Sequence, residues 1–141
     1  MGLFHKSLIT LLFIFAFALT GIATAEEARV IRVIDGDSLR IELRGLEMDL
    51  RLLGVDAPEW NQPGGEEAKA FVQAWVDKGD SIDLEFDRKM YGKYGRLLAW
   101  VWMDDELLQE ELVRHGHAQV KWLSVKNKHY SRLKHEKGEI K

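Results

Sequence analysis

The sequence contains no cysteine and only two prolines among its 141 residues. The absence of cysteine excludes disulfide bonds and thiolate zinc sites. A surplus of positive charge is also lacking, because 20 basic residues face 23 acidic ones and the formal net charge is −3. Bulk charge therefore gives no reason to expect tight binding to nucleic acid. The basic residues are instead concentrated locally, at 88–96 and at 126–141.

The first 25 residues have the composition of an export signal. A continuous run of apolar or small residues extends from 8 to 21, and Ala23-Thr24-Ala25 fits the small-x-small pattern at which signal peptidase cleaves. A membrane anchor is the alternative, but the run is shorter than the about 20 apolar residues that a spanning helix needs. We expect residues 1–25 to be removed, leaving residues 26–141 as one monomeric domain that is secreted or periplasmic and not stably bound to the membrane.

Five short segments predict β-strands, at 30–34, 39–43, 46–52, 82–86 and 97–103. Apolar and polar residues alternate along the second, third and fourth segments, as expected of strands that bury one face. The fifth segment is apolar on both faces, which predicts a buried strand. The alternation breaks at Leu52-Leu53-Gly54 and indicates a bulge or sharp bend after the third strand.

Three further segments predict helices, at 66–76, 108–113 and 127–137. Gly79 is expected to end the first helix and Gly116 to close the second. The apolar stripe of the last helix is thin, because it consists of Tyr130 and Leu133. This order of elements predicts a mainly β protein with helices (α+β): a five-stranded OB-fold barrel plus about three helices.

Two aspartates stand where predicted strands begin or end. Counting by twos from Leu39 places Asp37 on the core-facing side, where an ionised carboxylate is costly without a cation or a hydrogen-bond donor. Asp56 ends the third strand, which should neighbour the second. Carboxylates that share an ion through oxygen alone favour Ca²⁺ or Mg²⁺. Taken singly, each aspartate is more typical of a turn than of a metal site.

Five segments in a fixed order form a more specific set: VIDGDS (33–38), RLLGVDAPE (51–59), GGEEAKAF (64–71), KYGRLLAWVW (93–102) and LVRHGHAQV (112–120). Together they resemble the thermonuclease family, the staphylococcal nuclease-like domains, over nearly all of residues 26–141. The resemblance implies an OB-fold barrel with helices that cleaves DNA and RNA with bound Ca²⁺. It also implies products with 3′-phosphate and 5′-hydroxyl ends and little sequence specificity.

The resemblance implies a metal site and a base. Asp37 and Asp56 match the carboxylate ligands of the calcium, and Ala57 matches a position that offers its backbone carbonyl. Glu59 matches the residue that positions or deprotonates the attacking water. This combination makes chemical sense, because a metal ion neutralises charge on a phosphodiester while a carboxylate aligns or deprotonates the water.

The resemblance also implies a set of substrate contacts. Arg51 and Arg96 match the two arginines that bind the reacting phosphate, for which guanidinium groups offer paired donors whose charge does not depend on pH. Lys93 and Tyr94 match positions near a terminal phosphate or base. Trp122 matches an aromatic position that can stack on a nucleotide.

Three other features have less specific interpretations. Trp100 and Trp102 are better explained as core than as a nucleic-acid platform, because their strand is apolar throughout. His115 and His117 would need further ligands to hold a metal. Gln109 stands where the family commonly has asparagine, a change that bears on a structural hydrogen bond.

Two functions other than that of a nuclease are considered for the chain. One is a non-catalytic OB-fold module that binds nucleic acid, and the other is a structural calcium-binding module. A module that only binds nucleic acid has no need of an acidic pocket that faces the phosphate, so the carboxylates implied by the resemblance argue against the first alternative. Two carboxylates and a carbonyl are too few for the second, since Ca²⁺ takes about six or more oxygens.

Overall fold

The computed structural model describes residues 25–76 and 81–139, which form eight strands and three helices. In chain order the strands are β1 (Glu26–Asp35), β2 (Ser38–Leu43), β3 (Leu46–Leu52), β4 (Val55–Asp56), β5 (Ser81–Glu85), β6 (Leu97–Met103), β7 (Glu106–Leu107) and β8 (Gln119–Val120). The helices are α1 (Gly65–Trp75), α2 (Leu108–Arg114) and α3 (Tyr130–Glu139). Residues 1–24, which hold nearly all of the expected signal peptide, lie outside the described residues.

The five longer strands close into a barrel. Their order is β3-β2-β1-β5-β6, and a parallel pairing between β3 and β6 joins the two edges, with Leu50 opposite Leu97. Leu39, Ile41 and Leu50 are fully buried in its core. The predicted five-stranded OB-fold barrel with three helices is confirmed. Among the described residues, no helix is both long enough and apolar enough to cross a membrane.

The predicted element bounds differ from the structure in identifiable places. The two-residue strands β4, β7 and β8 were not predicted, because their patterns are too short to carry a period. The last helix begins at Tyr130 and not at 127, since a turn joins Ser124 to Asn127 and His129 has a left-handed backbone with φ 57°. Gly79, expected to end the first helix, lies outside the described residues.

Two glycines allow α1 to approach the strand ends closely. A Cβ atom at Gly36, in the turn between β1 and β2, would lie 2.7 Å from the Cβ of Ala68 and 2.8 Å from that of Ala57. A Cβ atom at Gly65 would lie 1.8 Å from the carbonyl oxygen of Glu59. None of these three distances is tolerable, so the absence of side chains at these positions allows α1, the β1–β2 turn and the exit of β4 to lie together.

Polar contacts hold the C-terminal segment against the barrel where apolar ones are few. The stripe of α3 comprises Leu133, which is fully buried, and the half-buried Tyr130. The carboxylate of Asp87 accepts hydrogen bonds from the Trp100 indole at 3.0 Å and from the Lys128 backbone at 2.9 Å. An ion pair of 3.1 Å between Arg114 and Glu136 joins α2 to α3. The apolar stripe therefore accounts for only part of the attachment of this segment, and polar contacts supply the rest.

Candidate nuclease site

A cavity of about 880 Å³, called here the main cavity, opens beside the turn from β1 to β2 and the exit of β4. Side chains predicted from the sequence for metal, water and phosphate line it together: Asp37, Arg51, Asp56, Glu59, Lys93, Tyr94, Arg96 and Trp122. Ala57 does not line this cavity and lies in a second, smaller one next to it. The barrel thus gathers residues from five separate parts of the chain.

Asp37 is buried on the core side of the β2 strand end, as the alternation predicted, with 5% of its surface exposed. One carboxylate oxygen accepts the backbone N–H of Ala57 at 2.7 Å, and the other accepts the Ser38 hydroxyl at 3.0 Å. Burial raises the pKa of Asp37 to about 6, although the neighbouring Arg51 guanidinium opposes that rise. The net result is a desolvated carboxylate whose charge is incompletely balanced.

Arg51 joins the two predicted metal ligands. Its Nη2 atom lies 3.1 Å from the carboxylate of Asp37 and 3.3 Å from that of Asp56. Its Nη1 atom donates to the carbonyl oxygens of Leu52 at 3.0 Å and Val55 at 2.8 Å, which fixes the bend between β3 and β4. Arg51 is therefore a structural residue as well as a candidate phosphate ligand.

Lys121 is a site residue that the sequence interpretation missed. Its ammonium group lies 2.7 Å from the carboxylate of Asp56 and 5.6 Å from the centre of the Trp122 ring. Pairing of β8 with β4, in which Val120 lies opposite Val55, brings it there. The local sequence carries no signal for this, because a two-residue strand has no readable period.

Glu59 lies on the exposed wall of the main cavity, immediately after the exit of β4. Its backbone N–H donates to the side chain of Gln62 at 3.2 Å, and its carbonyl accepts from the Gln62 backbone at 2.9 Å. A tight turn thus fixes the backbone while the carboxylate remains accessible to water. That arrangement suits a group that must receive a proton from a bound water.

The opposite wall is basic and aromatic. Arg96 is half-buried, and none of the ion pairs within the described residues involves it. Lys93 lies over the ring of Tyr94 at 5.6 Å. Tyr94 and Trp122 are each 77% exposed, which is unusual for large aromatic side chains and leaves both rings open to a ligand.

The predicted metal ligands supply some of the oxygen atoms that a calcium ion requires. Asp37 and Asp56 offer oxygen donors only, one of them desolvated and incompletely neutralised, which suits a hard cation. Within the described residues, no group of three or more His, Asp or Glu side chains is arranged to hold a metal. The protein's side chains fit calcium as a partial set, with the remaining oxygens left to water, backbone and substrate.

The three other sequence features have structural explanations. His115 and His117 both lie against the ring of Phe71, at 5.0 and 4.7 Å between centroids. Trp100 is fully buried, which confirms that it belongs to the core. The side chain of Gln109 is also fully buried and bonds to the backbone of β6, donating to Ala99 at 2.9 Å and accepting from Val101 at 3.2 Å.

Comparisons with known proteins agree with this geometry. The sequence model of the family described as "Staphylococcal nuclease homologue" matches residues 49–140, more than half of the chain. The chain belongs to this family. The match includes Arg51, Asp56, Glu59 and Arg96, whereas Asp37 precedes it.

Individual members of the staphylococcal nuclease family are similar to the chain over most of its length. A thermonuclease of Staphylococcus hyicus is 35% identical over 125 residues, covering 83% of this chain and 73% of that protein. A thermonuclease of Staphylococcus intermedius is 37% identical over 110 residues, covering 74% and 65%. Endonuclease YncB of Bacillus subtilis (strain 168) is 38% identical over 106 residues, covering 70% of this chain but 50% of that protein. These relatives support a nuclease.

The contacts of Arg51 and Arg96 predict different effects on stability. Arg51→Lys removes donors to two carbonyls and to Asp37, and leaving such buried groups unpaired typically costs about 1–3 kcal/mol. Arg96→Lys, the matched control, breaks no ion pair and should change stability by less than about 0.5 kcal/mol. Urea unfolding in EDTA measures both, and equal effects would contradict the structural role of Arg51.

Proposed function

We propose that the protein is a calcium-dependent endonuclease that acts as a monomer on DNA and RNA without strong sequence specificity. The observation that carries the proposal is the main cavity, which a desolvated Asp37, the half-buried Asp56 and the accessible Glu59 line together with the half-buried Arg96. Acidic groups for a metal and basic groups for a phosphate meet there, as phosphodiester hydrolysis requires.

Asp37 and Asp56 would hold the ion, with Ala57 adding its backbone carbonyl. Bound calcium would neutralise charge on the phosphate and orient a water molecule. The Asp37 carboxylate is already fixed by the Ala57 N–H and by Arg51, so little rearrangement is needed to present its free lone pairs. The ammonium group of Lys121 forms an ion pair with the Asp56 carboxylate and so fixes its position.

The remaining residues would act on substrate and water. Glu59 takes a proton from the water as its oxygen bonds to phosphorus. The bond from phosphorus to the 5′ oxygen breaks, and that oxygen receives a proton from solvent. The products then carry a 3′-phosphate and a 5′-hydroxyl. Arg96 stabilises the charge that develops on the phosphate. Arg51 adds to this with any N–H group that is not already bonded to the protein.

Nucleotides on the basic side of the cavity would be held by stacking and charge. Tyr94 and Trp122 present exposed rings, and stacking of this kind tolerates any base. Lys93 lies beside Tyr94 and can pair with a phosphate. These contacts explain binding without strong sequence specificity, since neither reads the edge of a base.

The first prediction concerns calcium and the products. Single-stranded DNA should be cut in Ca²⁺ and left intact in EDTA, with mass spectrometry of the fragments showing 3′-phosphate ends. Equal cleavage in EDTA would contradict the proposal, and the non-catalytic binding module would then be the better explanation.

The second prediction separates Glu59 from the other acids. Glu59→Gln keeps the shape and the metal ligands, so turnover at saturating Ca²⁺ should fall about 10²–10⁴-fold, the usual cost of losing a general base. Glu67→Gln is the matched control, because Glu67 is also exposed, on α1, but does not line the main cavity. Steady-state cleavage of a labelled oligonucleotide gives both rates. Full turnover in Glu59→Gln would remove Glu59 from the mechanism.

We further propose export, with residues 1–25 removed and residues 26–141 as the mature domain. The apolar run and Ala23-Thr24-Ala25 support this. Intact-mass measurement of protein from the periplasm or the medium should show a chain that begins at Glu26. Ala25→Arg breaks the small-x-small pattern and should retain the leader. A wild-type protein that keeps Met1 would contradict export by cleavage.

A further inference from the structure

A second cavity, called here the side cavity, lies next to the main one and has a volume of about 420 Å³. Asp56 lines both cavities, so the two meet at the centre where the reaction is proposed to occur. The volume falls within the range of about 300–1,000 Å³ that is typical of small-molecule sites. The proposed metal ligands Asp56 and Ala57 lie at its edge, but no ligand has yet been assigned to the cavity itself.

The two cavities differ in charge. Lys89, Lys93 and Arg96 line the main cavity, whereas none of the lysines and arginines in residues 25–76 and 81–139 lines the side cavity. The carboxylate of Asp56, which lines both cavities, is already paired with Arg51 and Lys121. A phosphate is therefore a poor occupant of the side cavity.

Besides the Asp56 carboxylate, the side cavity is lined by polar side chains that can both donate and accept hydrogen bonds. They are the amides of Gln62 and Gln119 and the imidazole of His117. Amide side chains pair with the edges of nucleobases, which likewise combine donors and acceptors. Pro58 and Pro63 add apolar walls against which a flat ring can lie.

The frame of the side cavity is fixed before any ligand binds. The carbonyl of Gln62 accepts from Gly65 at 2.9 Å, and its side chain accepts from Glu59 at 3.2 Å. Gln119 is paired with Asp56 in the β4–β8 ladder. The His117 ring packs against the ring of Phe71. Such preorganisation lowers the entropy lost on binding.

We propose that the side cavity binds the nucleobase next to the reacting phosphate, on the side of that phosphate opposite to the main cavity. This rests on the proposed function, because an endonuclease must accommodate a nucleotide on each side of the bond it cuts. The main cavity then takes the phosphates and one nucleotide, and the side cavity takes the neighbouring base. A base can enter only when it is unpaired, so single strands should be preferred to duplexes.

The test uses Gln119→Ala, which removes an exposed amide and keeps the backbone pairing of β8. The substrates are the dinucleotide TpT and two analogues in which one or the other base is replaced by an abasic residue. The variant should raise KM about five-fold for TpT, as expected for one lost hydrogen bond. It should do the same for one abasic analogue and leave KM unchanged for the other, which lacks the base that enters the side cavity.

Gln73→Ala is the matched control, because Gln73 is also an exposed glutamine, on α1, and lines neither cavity. It should leave KM unchanged for all three substrates. Equal KM changes for all three with Gln119→Ala, or no change for any, would overturn the proposal.

A binding measurement separates this proposal from the proposed function. In EDTA, the side-chain amide NMR signals of Gln62 and Gln119 should shift on addition of TpT, and only one of the two abasic analogues should reproduce the shift. Shifts without cleavage in Ca²⁺ would support the side cavity and refute the nuclease. Cleavage in Ca²⁺ without these shifts would do the reverse.

Discussion

The site depends on one buried carboxylate. Asp37 accepts the backbone N–H of Ala57 and pairs with Arg51, which in turn holds two carbonyls of the bend between β3 and β4. These bonds connect the β1–β2 turn to the exit of β4, and the side-chain-free Gly36 allows the contact to close. The same carboxylate that organises the strand ends is thus the one best placed to attract a cation.

The charge of the site is divided in space. Asp56 lies at the junction of the two cavities, while Asp37, Glu59 and the basic and exposed aromatic groups line the main cavity. Amide side chains line the side cavity. A net charge of −3 is compatible with an anionic substrate because binding depends on this local arrangement and not on the total. Burial amplifies the local effect, since charges away from water are poorly screened.

Features that follow from the local alternation of apolar and polar residues could be predicted from the sequence. Features that depend on pairing between distant parts of the chain could not. The long strands and the inward direction of Asp37 follow from counting by twos, and β6 was predicted with its observed bounds. Lys121 and the side cavity depend on the β4–β8 pairing, which joins parts of the chain more than 60 residues apart. The start of α3 was misplaced because His129 adopts a backbone conformation that propensity alone does not indicate.

Calcium titration into the purified protein by isothermal calorimetry reports on the metal site without any cleavage. One calcium ion should bind per chain. Asp37→Asn and Asp56→Asn should each weaken binding at least about ten-fold, since even residues that only orient metal ligands cost that much when removed. Asp83→Asn, on the exposed face of β5, should have no effect. Calcium affinity unchanged in both site variants would contradict the account.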